Sequence, residues 1–289
     1  MKLRSTLLII IALTSSLMLA ADDDFSFVFY TDVHFQSDKV AQEGYQKAID
    51  KINTLDVDFV MDGGDFLFDM NHKSWEEISS DFELYTDYRA KIEAPLYNVM
   101  GNHDVLCTSN KCKSNGGDDT HYGKNLFQEM TQGNTYSTFN HKGWQFFILD
   151  CIELNDSTMM SYQIDQEQLD WISQSLDEMD AETPIVLVSH VPFMTASAMY
   201  KSGPLARNSS SKVIVNAAEV LKLFKKYNLK LTLSGHLHQY ENITIDKKQF
   251  VVSGAVCGFW WRGPFGNTAE GFTKVDIVDG EAIVNYLNY

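Results

Sequence analysis

The sequence predicts a single α/β domain built on two sheets, and three observations lead there. Strand-length runs rich in β-branched and aromatic residues alternate with segments of helical period from Phe25 to Leu233. Several of those runs are apolar throughout, as strands covered on both faces are. The 289 residues carry no repeat, low-complexity stretch or obvious linker, and a chain of this length can bury one sizeable core.

Phe25 to Thr31 reads as the first strand. Asp38 to Leu55 follows as a helix, because Ala41, Tyr45, Ala48, Ile49 and Ile52 fall on one face. Val57 to Met61 is a second strand, Trp75 to Ile92 a second helix and Pro95 to Met100 a third strand. Val105 to Gly123 is polar and Gly-rich, hence a loop. Thr135 to Phe139 and Trp144 to Leu149 read as a hairpin around Asn140-His141-Lys142-Gly143. Asp165 to Met179 returns to helical spacing through Leu169, Ile172, Leu176 and Met179. Pro184 to Ser189 is a strand and Ser202 to Ser211 a loop. Val213 to Tyr227 is an amphipathic helix with Val213, Ala217, Val220, Leu221 and Phe224 inward. Leu229 to Leu233 is a strand, and the tail alternates as strands joined at Asp279-Gly280, a tight hairpin turn.

Composition excludes whole classes. With 44% hydrophobic and 21% charged residues the chain is neither disordered nor fibrous. Its 23 basic and 39 acidic residues give a net charge of −16. That opposes stable nucleic-acid binding, which neutralises phosphates with basic residues, and opposes an anionic membrane surface as main partner. The first 21 residues stand apart: Lys2 and Arg4 precede the aliphatic run Leu7 to Leu13, and Ala20-Ala21 offers small residues for cleavage. They read as a secretory signal peptide, with an uncleaved anchor as the alternative. The expected organisation is residues 1–21 as signal and 22–289 as the domain, secreted or periplasmic. In an oxidising compartment Cys107 and Cys112 can close a short disulfide loop. Cys151 and Cys257 sit in apolar runs and read as buried small hydrophobes. Asn155, Asn208 and Asn242 head glycosylation triplets.

Five short segments carry the chemistry: Asp32-Val33-His34, Gly64-Asp65, Gly101-Asn102-His103-Asp104, His190 and Gly235-His236-Leu237-His238. Each directly follows a predicted strand, where open α/β sheets place ligands. Five of the eight histidines fall there; His72, His121 and His141 do not. The set supplies carboxylates, a carboxamide and imidazoles, enough for two divalent cations with positions left open. A glycine beside a ligand allows a turn that a side chain would block.

In this order the five segments resemble the calcineurin-like metallophosphoesterase superfamily, over Asp32 to His238. The resemblance implies a four-layer α/β/β/α sandwich with a dinuclear centre of divalent or mixed-valence manganese, iron or zinc. It places Asp32, His34, Asp65 and His238 on one metal, and Asp65, Asn102, His190 and His236 on the other, with Asp65 bridging. His103 is then not a ligand; it reaches the substrate phosphate or the leaving group as a catalytic acid. Asp104 either orients His103 or caps the following turn. Purple acid phosphatases of this superfamily carry a ligating tyrosine three residues after the Gly-Asp aspartate, where this chain has Phe68. The pattern is closer to the phosphodiesterase branch. The expected activity is hydrolysis of a phosphodiester, nucleotide-type among the options, by water activated at the metals. A phosphomonoesterase, a pyrophosphohydrolase and a non-catalytic metal-dependent binder are the alternatives. Phe259-Trp260-Trp261-Arg262-Gly263 is the candidate substrate contact: two indoles to stack on a base and Arg262 to pair with phosphate, unless the indoles pack under a hairpin. The Cys107 to Asp119 loop and Arg207 are weaker candidates.

Overall fold

A computed structural model of the chain describes residues 23–109, 112, 120–155 and 160–289. The expected signal segment lies outside them. Among the described residues no helix is long and apolar enough to cross a membrane.

The strands are β1 (Phe25–Tyr30), β2 (Phe59–Asp62), β3 (Leu96–Asn98), β4 (Ser137–His141), β5 (Trp144–Ile148), β6 (Ile152–Glu153), β7 (Ser161–Tyr162), β8 (Ile185–Val188), β9 (Leu229–Ser234), β10 (Glu241–Ile245), β11 (Lys248–Val252), β12 (Gly271–Val278) and β13 (Glu281–Asn288). They form a five-stranded sheet in the order β13-β12-β1-β2-β3, a six-stranded sheet in the order β10-β11-β9-β8-β5-β4, and the small pair β6-β7. β1, β2 and β3 run parallel, as do β5, β8, β9 and β11. Antiparallel pairings complete one edge of the first sheet, through β12 and β13, and both edges of the second, through β10 and β4. The sheets are mixed and flanked by helices, the four-layer sandwich that the resemblance implies.

Strand alternation builds two cores. Phe25, Phe27 and Phe29 of β1 join Phe146, Val186, Val188, Leu231 and Leu233 in a layer between the sheets. Val28 and Tyr30 point the other way, onto Tyr45, Ala48 and Ile49 of α1 (Lys39–Asn53) and Tyr85 of α2 (Trp75–Arg89). On the second sheet Ile185 and Leu187 pack outward, toward Leu169 and Ile172 of α4 (Gln166–Asp177) and Val220 of α6 (Ala217–Leu223). Asp38 caps α1 by accepting from Val40 N and Ala41 N, and Asp165 caps α4 from Gln168 N. The five residues predicted to line the inner face of α1 are the five it buries.

Some elements differ from the sequence reading. A short helix, α3 (Asn125–Thr131), follows the long loop, and another, α5 (Ser197–Ser202), follows β8. Both are too short to show a period. The helix expected from Val213 begins only at Ala217. Asn216 clamps Ile164 through both its carboxamide atoms, while Ile214 N and Val215 N donate to Pro192 O and Tyr162 O, so this stretch is held out of the helix. The first hairpin turns tightly at Lys142-Gly143, both with positive φ, so His141 belongs to β4. Asp279-Gly280 turns as expected. Cys107 and Cys112 are disulfide-bonded; Cys151 and Cys257 are free and buried. Asn208, head of one glycosylation triplet, donates its amide to Thr195 O at 2.9 Å.

Candidate metal centre

The functional segments leave the carboxyl ends of β1, β2, β3, β8 and β9, so two sheets deliver them to one edge. Asp32, His34, Asp65, His236 and His238 all have φ between 43° and 71°, the left-handed region that L-residues seldom occupy. That concentration of strain in one place marks a site over-determined by its surroundings. Backbone bonds lock the loops together: Asp32 N to Gly64 O at 2.9 Å, His34 N to Asp65 O at 2.9 Å and Gly235 N to His190 O at 2.9 Å. Two glycines permit this density. A Cβ on Gly235 would sit 2.2 Å from Thr31 Oγ1, and one on Gly101 would sit 2.3 Å from Asp65 Oδ1.

The side chains converge. His190 Nε2 lies 3.2 Å from Asp65 Oδ2 and 3.2 Å from Asn102 Oδ1. His34 Nε2 lies 3.6 Å from that same Asp65 oxygen and 3.2 Å from His238 Nε2. Asp32 Oδ1 is 3.3 Å from His238 Nε2 and 3.9 Å from both His34 Nε2 and His190 Nε2. Ligand atoms of Asp65, His190 and His236 lie within 4.8 Å of one another, as do those of His34, Asp65 and His103 and those of His34, His238 and Cys257. All seven expected ligands therefore meet at one place, with His103 beside them.

The donor set fits cations. His190 Nδ1 donates to Gly63 O at 2.9 Å, His238 Nδ1 to Gly258 O at 2.6 Å and His236 Nε2 to Ser211 O at 2.9 Å. Each bond uses one ring nitrogen as donor and aims the other at the cluster, where its lone pair is available to a cation once any proton there has left, as in histidines that hold metals. Asp32 Oδ1 is buried with no hydrogen-bond donor, while Oδ2 accepts from Thr31 Oγ1 and His236 N. A buried carboxylate oxygen without a donor is costly, and a cation would satisfy it. His34 Nδ1 also has no partner. Cys257 is the unexpected neighbour, but burial pushes its thiol up, toward the protonated form that ligates poorly.

Electrostatics point the same way. Burial opposes charge on Asp32, yet His238 and His190 outweigh it and hold the carboxyl well below its usual range. Burial would also lower His190, but Asp65 and Asp32 prevail and raise it to about 10; His238 is raised by Asp32 against the same opposing burial. Burial brings His34 to about 3 and His236 to about 4. The metal-free cluster thus holds protons on His190 and His238 at neutral pH, and an entering cation displaces them. Both histidines are raised, so protons compete with the cation and metal affinity rises as pH rises. Titration calorimetry with manganese in two buffers of different ionisation heat should register net proton release on binding. No release would contradict these assignments.

Asp104 corrects one expectation. Its carboxylate is buried and accepts from Gly101 N at 2.7 Å, Asp65 N at 2.9 Å and Phe66 N at 2.9 Å. It neither caps the following turn nor orients His103; it ties the loop after β3 to the loop after β2. Asp104→Ala should leave three buried N–H groups unpaired and lower unfolding free energy by roughly 3 kcal/mol or more, read from urea denaturation. The partner facing His103 is Asp69, missed in the sequence, whose Oδ1 lies 3.8 Å from His103 Nδ1. Asp69 sits four residues beyond Asp65 and has φ 62°, a geometry that no spacing rule foretells.

The tryptophan pair also divides. Trp260 faces the cluster, its ring 5.2 Å from that of His238 and 6.2 Å from that of His34. Trp261 turns away: it donates Nε1–H to His34 O at 3.1 Å and packs where a Cβ on Gly44 would lie 2.3 Å from its ring. It is a wall of the core and no stacking platform. Arg262 and Arg207 are exposed and, among the described residues, form no ion pair. Phe68 stands edge-on to His34 at 6.4 Å and cannot ligate. Of the loop candidate, residues 110, 111 and 113–119 lie outside the described residues. His141 pairs with Asp58, His72 with Asp69, and His121 stacks on Trp75, apart from the seven ligands.

Comparison with known proteins agrees with this geometry. Residues 25–240 match the family described as calcineurin-like phosphoesterase. Among solved structures, a dimetal phosphatase from Danio rerio is similar with TM-score 0.64 and 12% identity, over 91% of this chain and 95% of that one. A purple acid phosphatase from yellow lupin (Lupinus luteus) seeds follows with TM-score 0.55 and 15% identity, over 91% of this chain and 51% of that one. GAP50, the anchor in the inner membrane complex of Plasmodium, has TM-score 0.56 and 15% identity, over 92% and 84%. At such identities the likeness is one of fold alone. No curated protein matches in sequence. The family match covers β1 to β9 and all five ligand-bearing segments, so the chain belongs to the calcineurin-like phosphoesterase family and is a metal-dependent phosphoric ester hydrolase.

Proposed function

We propose that the protein is an exported phosphodiesterase working with two divalent cations. The observation that carries this reading is Asp65 Oδ2, which stands between His34 Nε2 at 3.6 Å and His190 Nε2 at 3.2 Å, in reach of both halves of the cluster. Asp32, His34, Asp65 and His238 would hold one cation; Asp65, Asn102, His190 and His236 would hold the other. Carboxylate, carboxamide and imidazole donors suit manganese, iron or zinc, and Phe68 leaves an iron(III)-tyrosinate pair without its phenolate. When bound, the cations polarise phosphate oxygens and acidify water. His103, a quarter exposed, is free to give a proton to the departing oxygen. Asp69 Oδ1 lies 3.8 Å from its Nδ1. Asp104 holds the Asp65 and Gly101 loops at fixed spacing, so bridge and acid keep their positions.

Two observations support the finer parts. Among the described residues no lysine or arginine pairs with a residue of the cluster, so a singly charged diester suits the cleft better than a doubly charged monoester. The Cys107–Cys112 disulfide supports an oxidising compartment, hence secretion or the periplasm. The test compares bis-p-nitrophenyl phosphate with p-nitrophenyl phosphate in manganese. A higher kcat/KM for the diester is expected; preference for the monoester overturns the diester reading.

A further inference from the structure

A cavity of about 870 Å³ opens beside the metal centre, within the usual size range for small-molecule sites. Tyr200, Lys201, Gln239, Tyr240, Phe265 and Asn267 are among its lining residues. Phe265 joins it to the chemistry, its ring 5.8 Å from that of His238. We infer that this cavity seats a nucleobase carried on one ester substituent of the substrate, an assignment that rests on the phosphodiester reading.

The lining has the two properties that a nucleobase needs. Its surfaces are aromatic: Phe265 and Tyr200 flank it, and Tyr240 is stacked on Tyr286 at 5.0 Å. Tyr200 is 78% exposed, so its ring face is open to a ligand. Its edges are amides. Gln239 and Asn267 leave their carboxamides without a protein partner among the described residues, and each offers a donor and an acceptor. A base presents π faces and a hydrogen-bonding edge at once. An acyl chain would leave those carboxamides unpaired, and a sugar has no π face to stack. Lys201 Nζ stands 5.9 Å over the Phe265 ring and can meet negative charge entering along that wall.

One wall is fixed before anything binds. Glu241 accepts from Thr195 Oγ1 at 2.8 Å and from Ala196 N at 2.9 Å, which pins the start of α5 to β10. Such prior order lowers the cost of binding.

The test measures affinities of AMP, phenyl phosphate and inorganic phosphate for the manganese-loaded protein by calorimetry. AMP should bind on the order of tenfold more tightly than inorganic phosphate, the effect of one stacked base, and more tightly than phenyl phosphate. Phe265→Ala should bring the AMP-to-phosphate ratio near one, and so should Tyr200→Ala, which removes an exposed side chain that is no part of the core. Equal affinity for AMP and phosphate overturns the proposal, as does phenyl phosphate matching AMP or a ratio unmoved in both variants. Because these are binding constants, they stand apart from the diester-to-monoester comparison, and either reading can fail alone.

Discussion

Asp65→Ala abolishes hydrolysis of every phosphate ester and leaves at most one tightly bound cation. Asp65 Oδ2 lies 3.6 Å from His34 Nε2 and 3.2 Å from His190 Nε2, closer to both than Asp32 Oδ1 at 3.9 Å, so its loss differs in kind from loss of a terminal ligand. Two divalent cations roughly 3.5–4 Å apart repel by on the order of 15–20 kcal/mol at an effective dielectric constant near 20. Without the shared carboxylate the six remaining ligands must hold both charges against that repulsion. Asp65 Oδ1 also accepts from His103 N at 2.7 Å, so Asp65→Asn, which keeps the side chain's shape, serves as a second variant against local collapse. His34→Ala removes one terminal ligand, and excess manganese should partly restore its activity by mass action. Manganese titration with elemental analysis and circular dichroism checks all three. Two tightly bound metals in folded Asp65→Ala protein would refute the bridge.

The ligand positions were legible because they combine two independent signals, strand ends and hard donor residues. A strand predicts its own end from where the apolar run stops, and Asp32, Asp65, Asn102, His190 and His236 all lie within a few residues of such stops. The strand alternation was legible for the same reason, which is why Phe27 and Val28 separate into different cores. What the sequence hid depends on backbone reversals. Trp260 and Trp261 are adjacent, and both have positive φ; that turn sends one ring to the cluster and the other under α1. Asp104 next to His103 suggested a partner for the imidazole, but Gly101, Asp65 and Phe66 present three N–H groups to its carboxylate. Asp69 faces His103 only because the chain turns at Asp69 into the short 3-10 segment Met70–His72. Val213 to Asn216 carried a helical pattern that Asn216, bonded to Ile164, overrides.

His103→Ala should lower turnover by on the order of 10²–10⁴-fold, the range for a positioned acid or base, while metal content stays unchanged. The backbone N–H to Asp65 survives this substitution, so the bridge keeps its orientation. The ring it removes is partly exposed and lies 5.0 Å from that of His34, beside the cluster. The size of the loss should follow the leaving group. An alkoxide cannot depart readily without a proton, whereas p-nitrophenolate is stable enough to leave unaided. The variant should therefore be much more impaired on an alkyl ester than on a nitrophenyl ester. Asp69→Asn keeps His103 but takes away the charge facing its Nδ1; its loss should be smaller and should show the same leaving-group dependence. A loss equal for both kinds of ester would assign His103 to binding phosphate instead of proton transfer. Its ligand atom falls within 4.8 Å of those of His34 and Asp65, so a third outcome is also decisive: one metal equivalent missing from His103→Ala would make it a ligand.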